Sequence, residues 1–444
     1  MANSTPSSRP LARDLAWLRV FRRLVVAHRG QLIDAVTREL GKPGFEVLMS
    51  EIVPLLAACR WHGRHARRWL APRRLRGGSI WQLGQRQTLH RVPRGEVAII
   101  ATWNYPLQLL GVQLIQAVLA GNRVTVKPSE RSPASQTMLL ELARRAGKTS
   151  AELSWTDAAR EAGEKLLDGR RFDYVVFTGS TGVGRQIARR LADELTPSAL
   201  ELSGADSMLV LEDGDPRLAA DALAYAVQLN GGATCMAPRR VIVHERHRTI
   251  FENRLGNHLG YDAQRHRYPA ADHEGAHSAA RAAVAAGGRW QEAGAQRDDW
   301  VGVRVVLDCP PDSALARGEH FGPALAVIFE ADDAAVLRRH AEFGQRLATA
   351  VFTRRPRRRL PELLQAGGGL VTINDAVLPS AHPGAPLAGR GPSGWGVTRG
   401  GEGLRAMTRP VVVTRTPRWL RPPTQTPDEK TQALLDRFVG WWYR

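Results

Sequence analysis

The chain has 444 residues, with 62 Lys+Arg against 43 Asp+Glu for a formal net charge of +19, 43% hydrophobic residues and three cysteines. That length supports two or three domains with a large buried core, and the ordinary hydrophobic fraction excludes wholesale disorder despite the charge. Three cysteines with no CxxC pair exclude a disulfide framework and structural zinc of the usual kind, so no metal site and a reducing, cytoplasmic compartment are expected.

Only Lys42, Lys127, Lys148, Lys165 and Lys430 are lysines; every other basic residue is an arginine. The arginines spread along the whole chain, and the densest runs, residues 64–76 and 354–359, are short. Such a spread reads as a compositional bias on a solvated surface, so no nucleic-acid partner is expected. Residues 1–20 lack the apolar run of a signal peptide, and no stretch approaches the ~18 apolar residues of an integral membrane segment.

From residue 11 to 69 apolar residues recur at helical spacing, as in Leu15, Leu18, Phe21, Leu24 and Val25, then Ile33, Val36 and Leu40, broken by Gly41 and Pro43. Cys59 falls inside this helical region as core. After the turn-rich residues 72–84, strands alternate with helices. Strands are expected at 96–102 (EVAIIAT), 123–126, 173–177 and 208–211, with helices at 109–120, 135–146 and 183–195. That alternation predicts parallel β-α-β units in a doubly wound sheet.

A second α/β stretch follows a helix at 219–228, with strands at 241–243, 303–307, 350–352 and 370–373. Within the His- and Ala-rich residues 254–288 a helix is expected at 278–286, capped by Gly287. His273 and His277 are four apart, but no carboxylate cluster surrounds them, and they read as part of a solvated loop. Residues 410–416 (PVVVTRT) form a β-branched strand whose candidate partner is 82–92, outside the alternation, which suggests a small projecting sheet. The tail, 418–444, carries Trp441, Trp442 and Tyr443 and reads as a segment that docks on a surface.

In doubly wound sheets ligands sit at the carboxyl ends of strands, so the loops that follow strands carry the chemistry. The loop in IIATWNYP, residues 99–106, holds Asn104, whose amide either donates to an oxyanion or serves the turn. The next strand ends in Lys127-Pro128-Ser129-Glu130, where a lysine in an arginine-rich chain and a nearby carboxylate suit ribose hydroxyls or a phosphate. Residues 177–184 (FTGSTGVG) lead a strand into a helix, either cradling an anion or forming a tight turn. Leu200-Glu201-Leu202-Ser203-Gly204 sets a carboxylate in an apolar run, a setting for a general base. Asn230-Gly231-Gly232-Ala233-Thr234-Cys235 ends a small-residue loop in a thiol that a substrate could reach, unlike Cys59 and Cys309, which read as core.

In this order the motifs WNYP, KPSE, FTGSTxVG, LELxG, a loop ending in TC, Glu319-His320-Phe321-Gly322-Pro323 and GPSGWG at 391–396 resemble the aldehyde dehydrogenase superfamily, nearest to its class 3-like fatty and coniferyl aldehyde branch. The resemblance spans residues 11–416. It implies an α/β fold with a Rossmann-type NAD(P)-binding domain (1–80 and 94–204), an α/β catalytic domain (205–402), an oligomerisation β-arm (81–93 and 403–420) and a C-terminal tail (421–444). It implies NAD or NADP as cofactor, a small-molecule aldehyde as substrate and a homodimer. By the same resemblance Cys235 is the nucleophile, Glu201 the general base and Asn104 the oxyanion donor, helped by the Cys235 backbone N–H. Lys127 and Glu130 would contact the adenosine ribose, Gly179, Ser180 and Gly184 the pyrophosphate, and the Trp103 backbone the cofactor along its length. Glu319 and Phe321 would position the nicotinamide ribose and ring.

Several residues depart from the family pattern. Ser203 stands for a second Gly and would crowd the backbone beside Glu201, Ala233 replaces a Gln, and Leu387-Ala388 replaces Phe-Gly. The expected reading is NAD(P)-dependent oxidation of an aldehyde to a carboxylic acid. Its alternatives are transfer of the acyl group to coenzyme A, which the presence of Glu201 opposes, and an inactive enzyme fold acting as a basic binding protein.

Overall fold

In the computed structural model, the heptad-like apolar spacing of the first seventy residues does what amphipathic helices do. Helices Leu11–Ala27, Arg29–Leu40 and Val53–Leu70 bury Leu15, Leu18, Phe21, Val25, Leu32, Val36 and Leu55, and Cys59 with them. The structure describes residues 11–78, 82, 84–258, 270–292, 295, 302–318, 320, 322–344, 346–419 and 426–443. Gly41, at φ 68°, ends the second helix by donating its N–H to the Thr37 carbonyl. These helices share one apolar core with Val97, Ile99, Val124, Val126 and Val176 of a six-stranded sheet.

That sheet runs in the order Gly394–Trp395, Ser198–Leu202, Tyr174–Gly179, Glu96–Ile100, Arg123–Lys127, Leu153–Trp155. All pairs are parallel except the first, where Gly394 lies opposite Glu201. The register sets Ile100 beside both Lys127 and Phe177, so the motif-bearing loops leave along one edge. The connecting helix Gln108–Leu119 is buried at every residue; at Gly111 a β-carbon would come 2.5 Å from Leu55, so only glycine allows this helix its close approach.

A seven-stranded sheet follows, ordered Arg289–Trp290, Arg304–Leu307, Ala324–Glu330, Pro238–His244, Asp206–Val210, Ala348–Phe352, Leu370–Ile373, parallel but for the edge strand Arg289–Trp290. Separate cores cover its two faces. Both sheets belong to one compact unit, residues 1–70 and 92–409. Residues 71–91 and 410–444 form the other, in which Arg73–Arg74, Arg86–Pro93 and Thr408–Arg415 make a three-stranded sheet in that order. The strands at 82–92 and 410–416 expected from the sequence are thus neighbours.

Some elements differ from expectation. The central strand Ala324–Glu330 and the strand Ser198–Leu202 were not anticipated, because each is a short apolar run whose period does not separate strand from buried helix. The helix expected at 278–286 is Ala270–Ala285, so 254–288 is not simply a loop, and His277 is buried in that helix. The strand Leu153–Trp155 and the helix Arg160–Gly169 were also not anticipated. The tail forms the helix Glu429–Trp442, whose first turn is capped by Asp428, with Trp441 and Tyr443 72% and 63% exposed.

Candidate active site

The carboxyl ends of the six-stranded sheet open into a cavity of about 510 Å³, lined by Ile100–Asn104, Lys127, Ser129, Glu130, Gly179, Ser180, Glu201, Ser203 and Cys235 among others. Three ordered features give it a polar side. Ser180 caps the helix Thr181–Asp193 by accepting the Val183 N–H, so that helix presents its N-terminus, with its partial positive charge, to the cavity. Lys127 is buried and ion-paired to the half-exposed Glu130 at 2.9 Å. Burial raises the Glu130 carboxyl, but the Lys127 hydrogen bond and the charges of Lys127 and Arg160 outweigh it and hold the group below its ordinary value. Trp103 lines the same wall, with the Arg131 guanidinium 3.3 Å over its ring.

Gly184 is not brought to the cavity. A β-carbon there would lie 2.3 Å from Leu202, so this glycine serves the close packing of helix on strand. Glu319 and Phe321 lie outside the described residues.

Glu201 is enclosed at the sheet edge. Its Oε2 accepts from the Thr398 hydroxyl at 2.8 Å, while Oε1 has no partner among the described residues. Thr398 is fixed in turn by a two-way backbone pairing with Leu387, both bonds 2.8 Å. Leu387 itself is buried in the core and does not line this cavity. Ser203 fits without displacing Glu201 from the cavity wall; its carbonyl accepts from the Ser393 hydroxyl at 3.1 Å.

The loop before Cys235 turns through three left-handed residues, Asn230 (φ 53°), Gly231 (φ 56°) and Gly232 (φ 86°), a conformation that glycine and asparagine tolerate best. Asn104 is tied to this loop. Its side-chain NH₂ donates to the Ala233 carbonyl at 3.0 Å, its Oδ1 accepts from Thr102, and its own carbonyl accepts from Lys42 at 3.0 Å and Asn230 at 2.8 Å. The amide keeps a second hydrogen for a ligand. Because only the Ala233 carbonyl is used, the Ala233 departure leaves this anchor intact.

Burial pushes the Cys235 thiol up to about 12, and the Glu201 charge adds to this; Arg399 and Arg239 oppose it, while Asp206 reinforces it. The resting thiol therefore holds its proton at neutral pH. On its other side Cys235 opens into a second cavity of about 370 Å³, with mostly apolar walls that include Phe45, Met49, Tyr105, Tyr225, Leu229 and Leu378 and with two charged residues, Glu46 and Arg399.

Sequence reasoning missed the residues that hold this centre in place. Lys42 and Glu51 form a fully enclosed ion pair of 2.6 Å; Lys42 also sits 4.4 Å from the Tyr105 ring centroid, and Glu51 accepts the N–H groups of Leu107 and Gln108. Asp206 accepts from the backbone of Leu347 and Ala348, and burial, against those bonds and the Arg240 and Arg239 charges, raises its carboxyl to about 7. The scarcity of lysine pointed to Lys42 as much as to Lys127, and two arginines at the start of an apolar strand, Arg239-Arg240, pointed to buried charge. Nothing in the local sequence marked Arg399.

A family model described as the aldehyde dehydrogenase family matches residues 2–413. A curated protein of Pseudomonas aeruginosa named "Probable coniferyl aldehyde dehydrogenase" is 31% identical, covering 91% of this chain and 86% of that one. Aldehyde dehydrogenase family 3 member B1 of Rattus norvegicus is 30% identical over 83% of this chain and 80% of its own. Among solved structures, an aldehyde dehydrogenase of Mycobacterium tuberculosis complexed with NAD+ has the same fold, with a TM-score of 0.84 at 23% identity, over 96% of this chain and 88% of that one.

Proposed function

Because the chain belongs to the aldehyde dehydrogenase family, we propose that Cys235 is the nucleophile, Glu201 the general base and Asn104 the oxyanion donor of its reaction. The reaction is the oxidation of an aldehyde to a carboxylic acid with NAD or NADP. The observation that carries the residue assignment is that Cys235 lines both cavities, one polar and rimmed by strand ends, the other apolar.

The residues of the larger cavity fit the cofactor: a helix N-terminus suits a pyrophosphate, and the Lys127–Glu130 pair offers a donor and acceptors to ribose hydroxyls. Lys127, Glu130, Gly179, Ser180 and the Trp103 backbone would hold it. Gly184 supports the same wall from behind. When bound, the nicotinamide supplies the two-electron oxidant that turns a thiohemiacetal on Cys235 into a thioester.

The chain's own groups do the rest. The Cys235 sulfur bonds to the aldehyde carbon while the thiol proton is released to solvent through the open cavity that the thiol lines. The carbonyl oxygen gains charge, and the spare Asn104 hydrogen and the Cys235 N–H donate to it. After oxidation Glu201 accepts a proton from water, the hydroxide attacks the thioester carbon, and the carbon–sulfur bond breaks to release the acid. Apolar walls in the second cavity favour an aldehyde with a hydrophobic or aromatic body.

The domain reading assigns the six-stranded sheet with its N-terminal helices to cofactor binding and the seven-stranded sheet to catalysis. The three-stranded sheet is the proposed oligomerisation arm of a homodimer, supported by Val412 and Val413, which the chain leaves about half exposed. No described helix is long and apolar enough to cross a membrane, and three cysteines without a disulfide support a cytoplasmic location.

The test is absorbance of reduced cofactor during incubation with NAD+ or NADP+ and aldehydes of increasing chain length, aliphatic and aromatic. Turnover that Cys235→Ala abolishes is expected. Undiminished turnover in that variant would falsify the assignment.

A further inference from the structure

Arg239 and Arg240 open the strand Pro238–His244 and are among the largest fully enclosed side chains. A buried guanidinium is costly unless its donors are taken. Arg240 spends its donors on structure, bonding the Ser207 hydroxyl and the carbonyls of Ala205 and Ala316, with its guanidinium 3.8 Å from the Phe343 ring centroid. Arg239 turns instead onto the nucleophile loop. Its Nη2 donates to the Gly232 carbonyl at 2.8 Å and to the Thr234 carbonyl at 2.9 Å.

Those two carbonyls flank Ala233, directly after the three left-handed residues, so one nitrogen staples the turn. The Thr234 carbonyl belongs to the peptide whose N–H is that of Cys235, and among the described residues nothing accepts that N–H. A cation on the carbonyl end of a peptide polarises it and strengthens its N–H as a donor. The charges facing the thiol are Glu201 and Asp206, which favour its proton, and Arg399 and Arg239, which oppose it.

We propose that Arg239 is a positioning residue for the reaction: it fixes and polarises the Thr234–Cys235 peptide, so that the Cys235 N–H meets the oxygen of the bound aldehyde, and it holds a permanent cation on the loop that carries the sulfur. The proposal rests on Cys235 being the nucleophile, and its test separates the two.

Arg239→Gln and Arg239→Lys are compared with the parent chain in two measurements. The first is alkylation of Cys235 by iodoacetamide without cofactor, from pH 6.5 to 10, followed by peptide mass spectrometry with Cys59 and Cys309 as buried references. The second is the burst of reduced cofactor in the first turnover. In Arg239→Gln the alkylation profile is expected to move about one pH unit upward, through loss of the cation. The burst is expected to slow about tenfold or more, with aldehyde KM within about twofold of the parent. Arg239→Lys restores the alkylation profile but not the burst, since its ammonium ends one bond short of Nη2 and cannot bridge both carbonyls. Folded variants with parental profile and burst overturn the proposal. Failure of both variants to fold also overturns it, because Arg239 is then a folding residue only. A parent chain with no burst and no alkylation at Cys235 removes the nucleophile reading and this proposal with it.

Discussion

On one side of Cys235 the cavity wall is made by strand ends that parallel register brings to one edge: Ile100, Lys127, Gly179 and Leu202. On the other side the wall is made by side chains from distant segments, among them Phe45 and Met49, Tyr105, Tyr225 and Leu378. The first wall is backbone-rich and set by the sheet, so under the proposed assignment it would recognise groups common to every turnover. The second depends on which side chain each segment carries, so under the same assignment it would set which aldehyde enters. The thiol where they meet belongs to both.

Substitutions at the junction should damage both sides at once, and those in a wall should damage only one. Cys235→Ala has the largest expected effect, loss of all turnover with cofactor binding kept, read by titrating cofactor fluorescence against the variant. Glu201→Gln should keep the first-turnover burst but slow steady-state hydrolysis about 10²- to 10⁴-fold, read by stopped-flow and steady-state rates on one sample. Equal loss in both phases would place Glu201 in acylation as well.

Within the walls, Lys127→Met removes a charged hydrogen-bond donor and should raise cofactor KM about tenfold or more while sparing aldehyde KM. Leu378→Trp should do the converse, raising KM about tenfold for bulky aldehydes only. If either variant shifts both constants equally, the division between the two cavities fails.

The smallest effect concerns Asp206, beneath the junction. Its folded pKa of about 7 lies above that of an unfolded carboxyl, so the stability its neutral form contributes is fully present below about pH 4 and is lost as pH rises through 7. His62 and His340, both held near 4 by burial, act oppositely, their contribution being lost as pH falls below about 6.5. Asp206→Asn isolates the first trend: its melting temperature relative to the parent should rise by about 2–5 °C between pH 5 and 8. A constant difference across that range would contradict the assignment.

The strand-end wall was legible in the sequence because each contact sits in a short motif after a strand: WNYP, KPSE, FTGSTGVG. Glu201 and Cys235 stood out by residue type, a carboxylate in an apolar run and a thiol after small residues, although Glu201 lies inside the unanticipated strand Ser198–Leu202 and Cys235 follows a helix and a left-handed turn. Gly184 shows the limit of motif reading, since it shares the glycine-rich loop yet packs against Leu202. The apolar wall was not legible, because nothing local in Phe45 or Leu378 tells that they face the same space. The supporting charges lay between these extremes. Lys42, Lys127 and Lys148 are buried in ion pairs, so three of the five lysines of this arginine-rich chain mark interior positions, while Lys165 and Lys430 are exposed. The strand Ala324–Glu330 was lost to an apolar run without alternation.

The most direct test of Cys235 as the shared junction is to trap the acyl group. Glu201→Gln is mixed with cofactor and an aldehyde that the parent chain oxidises, quenched in acid during the burst, digested and weighed by mass spectrometry. The expected result is the acyl mass on the Cys235 peptide and none on those of Cys59 or Cys309. An acyl group on another residue, or a full burst with no adduct on Cys235, would contradict it.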